Sequence, residues 1–327
     1  MSEANGRTRL GSTGPSVFPI ALGCMGMSGA YGPSDENEGI ATIREAIARG
    51  VTLIDTGDFY GNGHNELLVR RAIEGQRDKV QLSVKFGAMR GPDGAMVGID
   101  TRPAAVKNFA AYSLQRLGVD VIDVYRPARL DPNVPIEETV GAIADLVKAG
   151  YVRHIGLSEV GVETIRRAAK VHPIVDLQIE YAIVTRGPEE AIFPALEALG
   201  MSATLYGVLS RGLLTGSKVG GARAHFPRFS GEAGERNAAA VARFHAFAAE
   251  RGMTPAQLSV AWVLAKQPAF VPVVGARTRK QLQDVLGALD KPLSPADVAA
   301  AEAILPEDAI AGTRYPAASM QQLDSER

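Results

Sequence analysis

Short apolar runs rich in branched residues recur at residues 20–22, 51–54, 80–84, 121–125, 152–157, 174–179, 201–206 and 270–274. Continuous apolar runs of this length read as strands buried on both faces, as in a parallel sheet. Between them, apolar residues fall at helical spacing: Ile40, Ile43 and Ile47; Val106, Phe109, Ala110, Leu114 and Leu117; Ile136, Val140, Ile143 and Val147. Each set forms one apolar stripe, which predicts amphipathic helices packed on the sheet. Ser34 and Asp35 precede the first helix, and Gly50, Gly118, Gly150 and Gly200 stand where helices should stop. The order is strand then helix, eight times. An open doubly wound sheet and a closed (β/α)8 barrel both satisfy it, but a regular repeat without a composition break favours the α/β TIM barrel, as one domain over residues 1–327.

Some segments depart from the repeat. Residues 207–234, with many Gly, Ser and Arg, are too long for an ordinary connection and predict a functional loop. Two extra helices are expected before the last strand, at 236–249 and 255–266, and the tail from about 306 to 327 is expected to be irregular. The extra helices and long loops belong at the C-terminal face of the barrel.

Composition narrows the function. The chain has 327 residues, 46% of them hydrophobic, enough to bury a large core. A formal net charge of -1 gives no electrostatic reason for nucleic acid or an anionic membrane as partner, and a small neutral or anionic ligand fits better. No stretch approaches the roughly 20 uninterrupted apolar residues of a membrane-spanning helix. One cysteine, Cys24, cannot form an internal disulfide, and the polar start does not resemble a secretory signal, so the cytoplasm is the expected compartment. The five histidines lack metal-ligand spacing, and no metal is expected.

The chemistry concentrates where strands should end. In a barrel the carboxyl ends of the strands form the active face, which would gather Asp55, Lys85, Tyr125, Ser158, Gln178 and Tyr206. Tyr60 follows Asp55 closely. A phenol has a pKa of about 10, and a neighbouring cation favours its ionised form, moving it toward the range of a working proton donor. Asp55, Tyr60 and Lys85 are thus suited to protonating a carbonyl oxygen. Asp58 is expected to brace the turn. The loops after the seventh and eighth strands carry Ser210-Arg211-Gly212, Lys218 and Gly275-Ala276-Arg277-Thr278, whose amides and cations suit phosphate. Gly23, Gly26 and Gly29 lack the spacing of a Rossmann fingerprint and instead let the first loop approach a ligand. Cys24 in that loop reads as a packed, inert thiol.

Several stretches, in order, resemble the aldo-keto reductase superfamily: Leu22-Gly23-Cys24-Met25-Gly26-Met27, Ile54-Asp55-Thr56 through Tyr60-Gly61-Asn62-Gly63-His64-Asn65-Glu66, Lys85-Phe86-Gly87, Asp131-Pro132 through Glu137, Ile155-Gly156-Leu157-Ser158-Glu159, Gln178-Ile179-Glu180-Tyr181, and Ser210-Arg211-Gly212 through Gly216. The resemblance runs from about residue 22 to 287. It implies a barrel that binds NADPH without a Rossmann domain and reduces aldehydes or ketones. In that reading Tyr60 is the general acid, Lys85 its activator and Asp55 the carboxylate that fixes Lys85. Ser158 and Gln178 would hold the nicotinamide amide, Tyr206 would stack on its ring and Arg277 would meet the 2′-phosphate. Gly23, Met25, Gly207, Leu209, Ser210, Arg211, Gly212, Lys218, Gly275, Gln281 and Asp284 complete the implied cofactor set. Relatives often carry Glu-Asn near the adenine where this chain has Asp284 and Val285, so the preference over NADH rests on Arg277.

One departure stands out. Relatives commonly read Asp-x-Tyr-x-x-His-x-x-Asp-Pro, and here Asp123 through Pro132 places Ala128 at the histidine position. That histidine orients the substrate carbonyl, and removing one such donor costs about 10²–10³ in rate. Three explanations stay open. The chain resembles a pyridoxal-reductase-like branch in which Tyr60 acts without the histidine; Arg126, Arg129 or a water supplies the bond; or the protein is an NADPH-binding regulatory or redox sensor with little turnover. His64, in a turn, and His154, inside a strand, are poor substitutes. A barrel enzyme acting on a sugar phosphate is a further alternative. Substrate choice should lie in residues 88–100, residues 207–234 and the tail with Arg314 and Tyr315.

Overall fold

A computed structural model describes residues 6–217 and 226–327. The chain opens with a small antiparallel hairpin, β1 (Thr8–Arg9) and β2 (Ser16–Val17), and then enters the barrel through β3 (Ala21–Gly23). The next barrel strands are β4 (Leu53–Gly57) and β5 (Gln81–Phe86), and a second hairpin, β6 (Ala88–Arg90) with β7 (Met96–Ile99), rises from the loop that follows. The barrel continues through β8 (Ile122–Pro127), β9 (Val152–Ser158), β10 (Ile174–Glu180), β11 (Ser202–Tyr206) and β12 (Val271–Gly275). All eight barrel pairings are parallel, and β12 closes on β3 with Val273 opposite Ala21 and Gly275 opposite Gly23. Every expected strand is present. The closed order settles the choice between open sheet and barrel.

The helices are α1 (Glu36–Ala48), α2 (His64–Ile73), α3 (Pro103–Leu117), α4 (Ile136–Lys148), α5 (Val162–Val171), α6 (Ile192–Ala198), α7 (Gly231–Glu250), α8 (Pro255–Lys266), α9 (Arg279–Leu286), α10 (Pro295–Ile304) and α11 (Ala317–Met320). Asp35 caps α1 by accepting from the Glu38 amide at 2.9 Å, which satisfies one of the free donors of the first turn. Gly118 ends α3 at φ +65, in the left-handed region that glycine adopts without Cβ strain. The apolar stripes read from sequence, such as Ile136, Val140 and Ile143, are buried against the barrel.

Two features differ from the sequence expectation, and a third, the close packing of the mostly irregular tail, adds to it. The two-residue strands of the first hairpin are too short to give a period-two signal, yet Leu10 and Val17 join Ala21, Leu53, Val271 and Val273 in an apolar plug. Helix α7 starts at Gly231, inside the segment read as loop. The tail packs closely: Leu323 is 1% exposed and Arg314 is 5% exposed. A polar layer crosses the barrel interior, where Arg126 donates to Asp176 at 2.9 Å and to Ser83 at 3.1 Å. Among the described residues, no helix is long and apolar enough to cross a membrane, and no group of three or more His, Cys, Asp and Glu could hold a metal ion.

Candidate active site

Asp55 lies mid-strand on β4 and Lys85 near the end of β5, two residues further toward the mouth in register. Both are buried. Asp55 receives Lys85 Nζ on Oδ1, and Ser83 Oγ and Gln178 Nε2, each at 2.8 Å, on Oδ2. Three donors on the carboxylate compensate the cost of burying charge and fix the ammonium. Lys85 Nζ sits 5.2 Å from the centroid of the Tyr60 ring.

Tyr60 begins a turn in which Gly61, Asn62 and Gly63 all have positive φ (57°, 52° and 93°) and carry the chain into α2. Two glycines permit that path without Cβ strain. The ring stands edge-on to Phe59 at 4.8 Å. Asn65 ties the turn to the first loop by donating to Cys24 O at 2.9 Å and Ser28 Oγ at 2.8 Å while accepting from Thr56. His64 bonds Ser28 at 2.9 Å. Cys24 is buried, and burial pushes its thiol far above the usual range, consistent with an inert residue.

The electrostatics correct one expectation. Burial drives the Tyr60 phenol well above its ordinary pKa, helped by the charge of Asp55, while Arg129 pulls the other way. Burial and the Asp55 carboxylate outweigh any pull of the ammonium, so the phenol is not brought down. Burial likewise lowers Lys85, against the opposing effect of Asp55.

Two residues placed at the mouth by sequence lie elsewhere. Tyr125 stacks on Phe86 at 4.2 Å and donates to Val106 O at 3.4 Å, which turns it outward toward α3. Strand alternation then sends Arg126 inward, where its partners are Asp176 and Ser83. Arg126 is thus engaged inside the barrel rather than offered to a substrate carbonyl. Arg129, by contrast, faces the mouth, with Nη1 on Ala128 O at 2.6 Å and Nη2 3.5 Å from the Tyr315 hydroxyl.

Asp58 braces the turn through its backbone, its amide donating to Lys85 O at 2.9 Å. Its side chain is another matter: Oδ1 has no partner, and burial, then the charge of Glu66, raise the carboxyl to about 7 despite Arg116. The folded protein therefore binds this proton more readily than the unfolded chain between pH 3.8 and about 7, so stability falls as pH rises through that window. Asp58→Asn is expected to raise stability at pH 8 by on the order of a few kcal/mol and to have little effect at pH 4. Urea unfolding at both pH values checks this, and an equal effect at the two would assign Asp58 no protonation role.

The residues implied for a cofactor are distributed around the mouth. Ser158 and Gln178 are buried at the ends of β9 and β10. Gly23 and Gly275 face each other across the barrel seam, and a Cβ on Gly275 would meet only Gly23 O, at 3.9 Å. Met25 and Leu209 are half-buried nearby in sequence to the strand ends. Gly207, Ser210, Arg211 and Gly212 all have positive φ, and the Ser210 hydroxyl is buried without a partner. Arg277 reaches Pro33 O in the first loop at 3.4 Å, while its amide donates to Gln281 at the start of α9. The open glycine seam, the orphaned hydroxyl and the cation at a helix start fit the phosphates of a dinucleotide. Two of the residues implied for the cofactor, Arg211 for phosphate and Asp284 near the adenine, have protein partners. Arg211 bends into the mouth, donating to Glu180 at 2.7 Å and lying 4.3 Å over the Tyr315 ring. Asp284 accepts from Thr254 at 2.8 Å. Lys218 lies outside the described residues.

The largest addition to the sequence reading is the tail. Arg314 grips Glu159 with both terminal nitrogens at 2.8 and 2.6 Å. Ser325 Oγ, at 2.7 Å, and the Tyr206 hydroxyl, at 2.6 Å, also donate to Glu159. Burial alone would raise the Glu159 carboxyl, but the hydrogen bonds and charge of Arg314 hold it down at about 2. The Tyr206 and Tyr315 hydroxyls are 3.0 Å apart. Glu159 has a visible signal in sequence, a carboxylate directly after an apolar strand and Ser158. Its partner is 155 residues away and has none.

Comparison with known proteins agrees with this fold. A model of the aldo/keto reductase family matches residues 19–306, so Arg314, Tyr315 and Ser325 lie beyond the matched part. Probable aldo-keto reductase 1 of Glycine max is 41% identical over 318 residues, covering 94% of this chain and 91% of that protein. The glycerol dehydrogenase of Gluconobacter oxydans superposes with a TM-score of 0.84 at 28% identity, covering 95% of this chain and 99% of the other. A holo-form aldo-keto reductase of Bacillus halodurans gives a TM-score of 0.77 at 25% identity, with 94% and 97% covered. With the barrel closed and its mouth so furnished, the chain belongs to the aldo/keto reductase family of oxidoreductases.

Proposed function

We propose that this enzyme reduces an aldehyde or ketone to the alcohol at the expense of NADPH, with Tyr60 giving the proton to the carbonyl oxygen. The observation that carries this reading is the Asp55–Lys85–Tyr60 cluster at the barrel mouth. The bound nicotinamide would supply the hydride. Tyr60, kept protonated by burial, has a proton to give at neutral pH as negative charge grows on the carbonyl oxygen. Lys85 stabilises the phenolate left behind, and Asp55 holds Lys85 in place.

Ser158, Gln178 and Tyr206 would hold the nicotinamide end, and the Tyr206 ring is pre-set for stacking by the bond of its hydroxyl to Glu159. Arg277 would hold the 2′-phosphate. Ala128 supports the likeness to the pyridoxal-reductase-like branch, in which Tyr60 works without an imidazole. The test is NADPH consumption with aliphatic and aromatic aldehydes, pyridoxal and cyclic ketones. Tight NADPH binding without consumption on any of them would replace this reading with that of a cofactor-binding sensor. Arg277→Ala is expected to weaken NADPH about 10–100-fold and NADH little, since a charge-assisted contact contributes about 1.5–3 kcal/mol. Equal losses, measured by fluorescence titration, would remove Arg277 from the 2′-phosphate.

A further inference from the structure

We infer that Arg129 anchors an anionic group on the substrate, so that the carbonyl compounds taken by this site carry a carboxylate or a phosphate. This rests on the reading of Tyr60 as proton donor and adds the class of compound that reaches it.

Charge balance at the mouth comes first. Glu159 is matched by Arg314, and Glu180 by Arg211 at 2.7 Å, with Arg314 and Arg228 further off at 3.5 and 3.8 Å. Glu326 also pairs with Arg314 at 2.7 Å. Asp55 and Lys85 neutralise each other. Arg314, Arg211 and Arg228 each have a carboxylate partner at the mouth, which leaves one guanidinium there without an ion pair among the described residues. Arg129 is that cation. It has no carboxylate within ion-pair distance there, and its polar contacts are the carbonyl of Ala128 beside it and a 3.5 Å approach to Tyr315.

Position argues the same way. Counting around the closed barrel, β8 stands four strands from β12 in either direction, so the loop bearing Arg129 faces the seam where the dinucleotide phosphates fit. That side of the mouth is left for substrate. Arg129 lies against Tyr315 at the mouth, and its charge acts on the Tyr60 phenol. The neighbouring side chain, Ala128, offers only a methyl group. A guanidinium fork pairs with the two oxygens of a carboxylate or phosphate, and partial exclusion of water strengthens the pairing.

The experiment compares matched substrates on the NADPH-loaded enzyme: 4-carboxybenzaldehyde against its methyl ester, and glyceraldehyde 3-phosphate against glyceraldehyde. The anionic member of at least one pair is expected to show a kcat/KM at least tenfold higher, and which pair does so identifies the anion. Arg129→Met is expected to collapse that ratio about tenfold or more, and Arg129→Lys, which keeps charge without the fork, to fall between. Calorimetric titration with 4-(hydroxymethyl)benzoate and with glycerol 3-phosphate provides a readout independent of turnover, and the preferred anion is expected to bind Arg129→Met at least tenfold more weakly than the wild type. No preference in either pair, or a ratio unchanged by Arg129→Met, would overturn the inference and leave Arg129 a brace for Tyr315. Should Arg129→Met fail to fold, Arg129→Lys decides by the same ratio. If the wild type reduces none of the four, the titrations alone decide on Arg129, and the reading of the reaction is decided by the wider carbonyl panel.

Discussion

Tyr60→Phe is expected to lower kcat by about 10²–10⁴ while leaving NADPH affinity within about threefold, because the substitution deletes the proposed proton donor and little else. The ring packs edge-on against Phe59 and beneath the Lys85 ammonium, contacts that phenylalanine keeps. Single-turnover reduction and fluorescence titration separate the two effects. Unaltered turnover would remove Tyr60 from the reaction, and a matching loss of NADPH affinity would make it a cofactor residue. The pH dependence adds a check. Tyr60 is raised well above the phenol range, so its deprotonation should not limit reduction near neutrality, whereas a donor drawn down by Lys85 would begin to lose its proton there.

Arg314→Ala carries the second large effect, on stability as well as activity. The residue is 5% exposed, and its loss strands Glu159, a fully buried carboxylate. Breaking a buried pair from one side costs about 3–5 kcal/mol, which should appear as a lower urea midpoint and as rapid proteolysis of the tail. Tyr206 keeps its bond to Glu159, but Tyr315 loses its neighbour, so the mouth is expected to loosen and the KM for NADPH to rise. Combining Arg314→Ala with Glu159→Gln should recover part of the loss, because the stranded charge is then removed. Glu159 contributes stability that is full above its ordinary 4.5 and lost as pH falls toward about 2, so the double variant should be less acid-sensitive than the wild type. A single variant as stable as the wild type would show that the tail does not hold the mouth.

The sequence by itself carried the strand and helix repeat and singled out Asp55 and Lys85, while the closed strand order decided for the barrel over an open sheet. Eight apolar runs and the intervening helical stripes follow from burial on both strand faces and on one helix face, which are local patterns. Asp55 and Lys85 were legible because charged residues beside apolar runs demand partners, and a barrel brings neighbouring strand ends together. What it did not settle depended on direction and distance. Tyr125 sits at a strand end like the others, and only the pleat decides that it faces α3 while Arg126 fills the interior. The direction of the Tyr60 shift required the burial and the Asp55 charge that no motif records. The Glu159 clamp joins residues 155 apart, and the lack of an ion pair at Arg129 emerges only once the pairs around it are placed in space. Local pattern fixes which faces avoid water, but pairing of buried charges across the barrel is a property of three-dimensional distance, and tertiary structure alone decided it.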